Sequence, residues 1–148
     1  MKTLSKITVF VLLLVTVTSV SAEDKVIPFS KLPTKAQTFV KKHFSEKDVA
    51  TVMMDTEYFI KKEYKVILKN GSKIEFGSDG EWEQVEMKGG SAVPALIIPQ
   101  KISEHIRKSF PDTFVKEIKK ERSRYEVEIS NGLDLEFSKE GAFIRVDD

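Results

Sequence analysis

At 148 residues, with 24 Lys and Arg against 23 Asp and Glu and no cysteine, the chain is sized for one domain or two small ones and is nearly electroneutral. That balance excludes a charged disordered tail and the basic footprint of a nucleic-acid binder. The lack of cysteine excludes disulfides, thiolate nucleophiles and thiolate zinc sites, and two histidines give little basis for a His-built metal centre.

The chain opens with Lys2 and Lys6 around an apolar stretch from Ile7 to Val20. A membrane span needs about 20 residues, so this shorter run reads as the core of a signal peptide. Val20-Ser21-Ala22 places small residues at the cleavage positions, so residues 1–22 are expected to be removed after Ala22. An uncleaved anchor is the alternative. The remaining chain, with 22 basic and 23 acidic side chains, is expected to be periplasmic or secreted.

Beyond the leader, the sequence reads as two copies of one unit. At an offset of 66, Leu32-Pro33 meets Ile98-Pro99, and Ala36, Val40 and Phe44 meet Ile102, Ile106 and Phe110. At an offset of 61, Tyr64, Val66 and Leu68 meet Tyr125, Val127 and Ile129; Asn70-Gly71 meets Asn131-Gly132; Glu75-Phe76 meets Glu136-Phe137; and Asp79-Gly80, Trp82 and Val85 meet Glu140-Gly141, Phe143 and Val146. Such a repeat takes precedence over any single element, because it sets the fold. The first copy spans 23–87 and the second 95–148, with the Gly/Ser/Pro-rich stretch 88–94 as linker.

Each copy begins with a helix of about three turns. Pro33 and Pro99 suit the first helical position, and apolar residues recur every fourth place behind them, which buries one face. Strands come next. Val49 to Met54 and Phe114 to Ile118 are short first strands. Tyr64, Val66 and Leu68, and likewise Tyr125, Val127 and Ile129, alternate with charged residues, the signature of half-buried antiparallel strands. Asn-Gly at 70–71 and 131–132 supplies the positive φ of tight hairpins, and Asp79-Gly80 and Glu140-Gly141 turn the chain into last strands. The fold class is therefore α+β: a tandem duplication of a helix plus four-stranded antiparallel sheet, with the helices packed on one face and the other face open.

The pattern Pro-helix-Phe, Tyr-x-Val-x-Leu-x-Asn-Gly, then Ile-Glu-Phe-x-x-Asp-Gly-x-Trp-x-x-Val, present at Tyr64 to Val85 and echoed at Tyr125 to Val146, resembles the PepSY-like, beta-lactamase-inhibitor-like exported proteins common in Bacteroides-type bacteria. The resemblance covers about residues 28–148. It implies a fold similar to the beta-lactamase inhibitory protein, whose concave sheet grips its enzyme. Inhibition is not implied for the family's members generally, and no contact residue of that inhibitor maps here. Phe143 departs from the Trp of the first copy.

No catalytic constellation is found. His43 and His105 occupy non-equivalent helical positions and lack a partnered nucleophile, and Glu81, Glu83 and Glu86 lack the spacing of a calcium loop. An enzyme is not expected, nor a cofactor or a resident metal. The candidate partner-binding residues come from strand parity. Val85 and Val146 share one side, which leaves Trp82 and Phe143 for the open face, and Phe59 and Ile67 lie opposite to Tyr64, Val66 and Leu68. An exposed apolar patch of this kind marks an interaction site. The competing reading is a bulge near Gly77 or Gly80 that returns the aromatics to the core. These features together point to an exported non-enzymatic module that binds another envelope or secreted protein through the open face, with inhibition of a peptidase or other envelope enzyme as one form of it. The alternative is a small-ligand or divalent-metal binder using Glu63, Glu75, Glu126, Glu128 and Glu136. Nucleic acid and membrane insertion are not expected, and a homodimer through an exposed sheet edge is open.

Overall fold

The computed structural model describes residues 24–57 and 61–147; the expected leader over 1–22 and the candidate Phe59 lie outside them. In chain order the elements are β1 (Lys25–Val26), α1 (Thr34–His43), β2 (Val49–Glu57), β3 (Lys61–Leu68), β4 (Lys73–Phe76), β5 (Trp82–Glu86), α2 (Gln100–Ser109), β6 (Val115–Lys120), β7 (Arg124–Ile129), β8 (Asp134–Ser138) and β9 (Phe143–Asp147). Among the described residues these strands form one nine-stranded sheet in strictly sequential order, with every neighbouring pair antiparallel. The two sets of four strands expected from the repeat are joined edge to edge through β5 and β6. The ninth strand, β1, is two residues long and pairs with Met53 and Met54, too short for any periodicity to reveal.

The alternation in the sequence becomes one continuous apolar row. Val52, Val66, Ile74, Val85, Ile118, Val127, Leu135 and Val146 lie directly opposite one another from β2 to β9. Seven of these eight are buried, and Val146, on the edge strand, packs against the same core. Burying each such side chain is worth roughly 1.5–3 kcal/mol, so the row contributes a large share of what holds the sheet to its cover.

The cover consists of the helices. Ala36 and Val40 of α1 and Ile102 and Ile106 of α2 are buried in the same cluster as the sheet row. Basic side chains (Lys41, Lys42, Arg107 and Lys108) crowd the last turns, where they complement the helix dipole. Pro33 and Pro99 sit one position earlier than the sequence predicts. Each has an extended ψ and stands at the N-cap, with its carbonyl accepting from Gln37 N and Ser103 N at 3.0 and 3.1 Å.

The Asn-Gly hairpins close with a positive φ at the glycine, as expected. Gly71 N donates to Leu68 O at 2.9 Å while Leu68 N donates to Ser72 O at 2.8 Å, a three-residue loop closed by a glycine bulge. Gly71 carries the positive φ, +86°, and Asn70 instead accepts from Ser72 N through its side chain. The same pattern closes the turns at Gly80, Gly132 and Gly141.

Candidate protein-binding face

The side of the sheet away from α1 and α2 is lined by the residues between those of the apolar row. One line across it runs Lys65, Glu75, Gln84, Lys119, Glu126, Glu136 and Arg145. These alternate enough in sign to pair. Lys65 and Lys73 approach Glu75 at 4.0 and 3.4 Å, and Arg124 Nη2 meets Glu126 at 2.7 Å. Glu136 is buried between Arg145 at 3.0 Å and Arg124 at 3.7 Å.

The neighbouring line is different. Lys73 is followed by Glu86, Glu117, Glu128 and Asp134, four carboxylates directly opposite one another on β5, β6, β7 and β8. Like charges in that arrangement repel. The flanking pair is partly neutralised: Glu86 by Lys88 and by Lys73 at 3.4 Å, Glu128 by Lys116 at 2.5 Å. Hydrogen bonding from Lys88 is the main reason the Glu86 carboxyl titrates below the usual range, with Lys73 adding to it against the opposing effect of burial. Glu117, between them, accepts a hydrogen bond from the side-chain amide of Gln84. Burial first, then the charges of Glu86 and Glu128, push its carboxyl above the ordinary value. The line of carboxylates thus crosses the β5–β6 seam of the two units, with the half-buried Glu117 between two like charges.

Only one described member of the predicted apolar set lies on this face. Ile67 pairs with Thr51 and Lys73 in the acidic line's register and is half-buried. Trp82 and Phe143 do not lie there. Between Glu75 and Phe76 the pairing shifts, so that Gln84 faces Glu75 while Trp82 faces Phe76, and Glu83 is the extra residue. An equivalent shift leaves Ile144 over between Arg145 and Phe143. Each bulge inverts the parity of the strand's first residue. Trp82 therefore stacks on Phe39 of α1 at 6.2 Å, with Lys120 Nζ 4.5 Å from its ring centroid. Phe143 stacks on His105 of α2 at 4.4 Å. A bulge thus turns both aromatics toward the helix side, as the competing reading expects, but only Trp82 packs against the core, and Phe143 stays 38% exposed.

That geometry also explains His105. It takes the place of Phe39: Phe39 meets Phe76 edge-on at 5.6 Å and 84°, and His105 meets Phe137 edge-on at 5.6 Å and 80°. The histidine is an aromatic spacer between helix and sheet.

Of the carboxylates considered as metal ligands, Glu126, Glu128 and Glu136 are engaged by Arg124, Lys116 and Arg145. Glu63 and Glu75 line a hollow of about 50 Å³ in the first unit, together with Asp24, Asp55 and Glu83. Asp55 Oδ1 is shielded from solvent there without a hydrogen-bond partner. Among the described residues, no group of three or more His, Cys, Asp or Glu side chains is placed to hold a metal ion. No helix of the described residues is long and apolar enough to cross a membrane.

A duplicated α+β chain with helices on one side of a continuous antiparallel sheet and a charged, uncovered opposite side is the class the fold defines. The chain belongs to the family described as "Putative beta-lactamase-inhibitor-like, PepSY-like", which matches residues 18–61 and 62–145. Three solved structures share the fold and a substantial part of the sequence. A "putative calcium-regulated periplasmic protein" of Bacteroides thetaiotaomicron is 38% identical with a TM-score of 0.80, the alignment covering 84% of this chain and 97% of the other. A "putative periplasmic protein" of Bacteroides vulgatus is 37% identical with a TM-score of 0.79, covering 85% and 98%. A second protein of that organism, described as "of unknown function", is 33% identical with a TM-score of 0.79, covering 85% and 100%. No curated protein matches the sequence.

Proposed function

We propose that the chain is a periplasmic, non-enzymatic binding module that holds another envelope protein against the open face of its sheet. Inhibition of an envelope enzyme such as a peptidase is one form this takes, in keeping with the family's description. The periplasmic reading leans on the relatives' descriptions. The observation that carries the binding reading is the in-register strip Glu86, Glu117, Glu128 and Asp134 on the open face, in which the half-buried Glu117 carboxyl stands between two like charges. Repulsion of this kind is relieved by a basic surface, so the partner presents Lys or Arg, with Ile67 as an apolar contact beside the strip.

The test is recovery of partners from an envelope extract by the wild type and by Glu117→Lys/Asp134→Lys. Loss of a partner in the variant, together with weakened recovery at high salt, is expected. Trp82→Ala and Phe143→Ala, on the helix side, retain the partner if they fold. Equal recovery by the charge-reversed variant overturns the reading.

A second reading, a divalent cation at the first unit's hollow, is favoured by the unpartnered Asp55 Oδ1 and by the relative described as calcium-regulated. The described side chains do not form a ligand set as they stand, so any such site has to assemble on binding. Melting in calcium against chelator decides it: binding to the native state raises Tm by mass action, and Asp55→Asn removes the rise. A flat response in the wild type removes this reading and leaves the first untouched.

A further inference from the structure

The two units differ on the helix side at the turn preceding each helix. In the first unit a 3-10 turn, Phe29–Lys31, follows Pro28, and in the second Ala95–Ile97 follows Pro94 in the same backbone shape, 66 residues on. Both lead through an extended residue, Leu32 or Ile98, into the proline-capped helix. The repeat therefore supplies an internal template for what belongs beneath that turn.

In the first unit it is the ring of Phe29. That side chain packs against the core, and Lys41 Nζ lies 5.6 Å from its ring centroid. In the second unit Ala95 stands in the place of Phe29 and Arg107 in the place of Lys41. The missing ring leaves a groove of about 460 Å³, whose walls include Ala95, Ile98, Ile106, Arg107, Phe110 and Phe114. A second hollow of about 370 Å³ shares Ala95, Ile98 and Arg107 and continues along Leu96. These volumes lie within the range of ligand-binding clefts.

Two further replacements point the same way. Leu96, where the first unit has Ser30, is 83% exposed, and Phe114, where the first unit has Asp48, is 39% exposed. In one unit a phenyl ring takes the place beside Ser30 and Asp48; in the other Leu96 and Phe114 stand exposed there, and Ser103, Asp112 and Thr113 also line the groove. The cation above it is kept, and strengthened in kind, because guanidinium is the commoner partner of an aromatic face.

We propose that this groove receives an aromatic side chain presented by a partner polypeptide, which seats where Phe29 seats in the first unit. The face of the incoming ring, negative in its quadrupole, lies under the Arg107 guanidinium, and Leu96 and Phe114 cover the residues flanking the aromatic. This surface is separate from the carboxylate strip, on the other side of the sheet, and its test is independent of the strip's.

The probe is the synthetic peptide Val-Ile-Pro-Phe-Ser-Lys-Leu, the chain's own segment 26–32, titrated into the protein spanning residues 23–148 and followed by amide chemical shifts. Shifts confined to the groove residues are expected, absent with the Phe-to-Ala peptide. Ala95→Phe supplies the missing ring from within the chain, so it abolishes the peptide's shifts and raises Tm. Arg107→Ala, at an exposed position, leaves Tm near the wild type and weakens the peptide about threefold. It keeps the test decisive if Ala95→Phe fails to fold. The proposal is overturned if the wild type shows no groove shifts, if the Phe-to-Ala peptide shifts the same amides, or if Arg107→Ala binds as well as the wild type.

Discussion

Glu117 is held at the centre of the sheet by strand pairing that places Glu86 and Glu128 on either side of it. Its carboxyl titrates above the ordinary value, chiefly through burial and then through those two charges. A carboxyl whose folded pKa is raised binds more protons in the folded state. Its contribution is therefore fully present below the unfolded carboxylate pKa and is lost as pH rises through the folded value. Glu117→Gln should accordingly stabilise the fold at neutral pH, by roughly 0.5–1 kcal/mol, and change little at pH values below the carboxylate range. Thermal melts of both proteins across that range check this, and a gain of equal size at acid pH contradicts it. The residue-scale signal was partly legible: the alternation of Glu126 and Glu128 with Tyr125, Val127 and Ile129 placed those acids on the open face. The opposition of Glu86 to Glu117 was not legible, because it depends on which strand of one unit meets which strand of the other.

At the scale of elements, the β4–β5 and β8–β9 turns press against the helix starts. A Cβ on Gly80 would lie 2.7 Å from Pro33 Cβ and 3.3 Å from the Ala36 nitrogen, and Gly80 has φ +79°. Gly132 has a similar φ, +86°, but open space around it. Both substitutions to Ala carry the left-handed backbone cost of about 1–2 kcal/mol. Gly80→Ala adds a collision with the helix N-terminus, so it should be the more destabilising of the two by at least about 1 kcal/mol in denaturant melts. Equal losses would mean the turn moves freely against α1. A paired test concerns the aromatic spacers. His105→Phe copies the first unit's Phe39–Phe76–Trp82 arrangement and should match or exceed wild-type stability, whereas His105→Ala should lose about 0.5–1.5 kcal/mol from the broken ring contacts. Helices, hairpins and core strands were readable because period and turn residues specify them locally. Trp82 and Phe143 misled the parity because a bulge is a one-residue event at Glu83 and Ile144, which alternation counted from Val85 and Val146 cannot register.

For the whole molecule, the duplication was visible as matched spacings, but the joint was not. The β5–β6 pairing is short: Gln84 with Lys119, Val85 with Ile118, and Glu86 with Glu117, extended by Met87 N to Lys116 O and Val93 N to Val115 O at 2.8 Å each. A seam this short invites comparison with a weak boundary between independent units. Burial argues otherwise. Val85 and Ile118 are wholly buried, and the core residues of both units form one cluster rather than two. Cutting the chain at the Gly89-Gly90 turn would bare two strand edges and the apolar side chains they carry, which is an invitation to aggregate. The units should therefore unfold together. Ile118→Ala, in the second unit but against Val85 of the first, should cost about 2–5 kcal/mol by leaving a cavity at the seam. It should lower one common transition by roughly 10 °C or more, with calorimetric and van't Hoff enthalpies still equal. A melt that splits in two, with the first unit's transition unmoved, would show that the sheet is continuous in geometry but divided in energy.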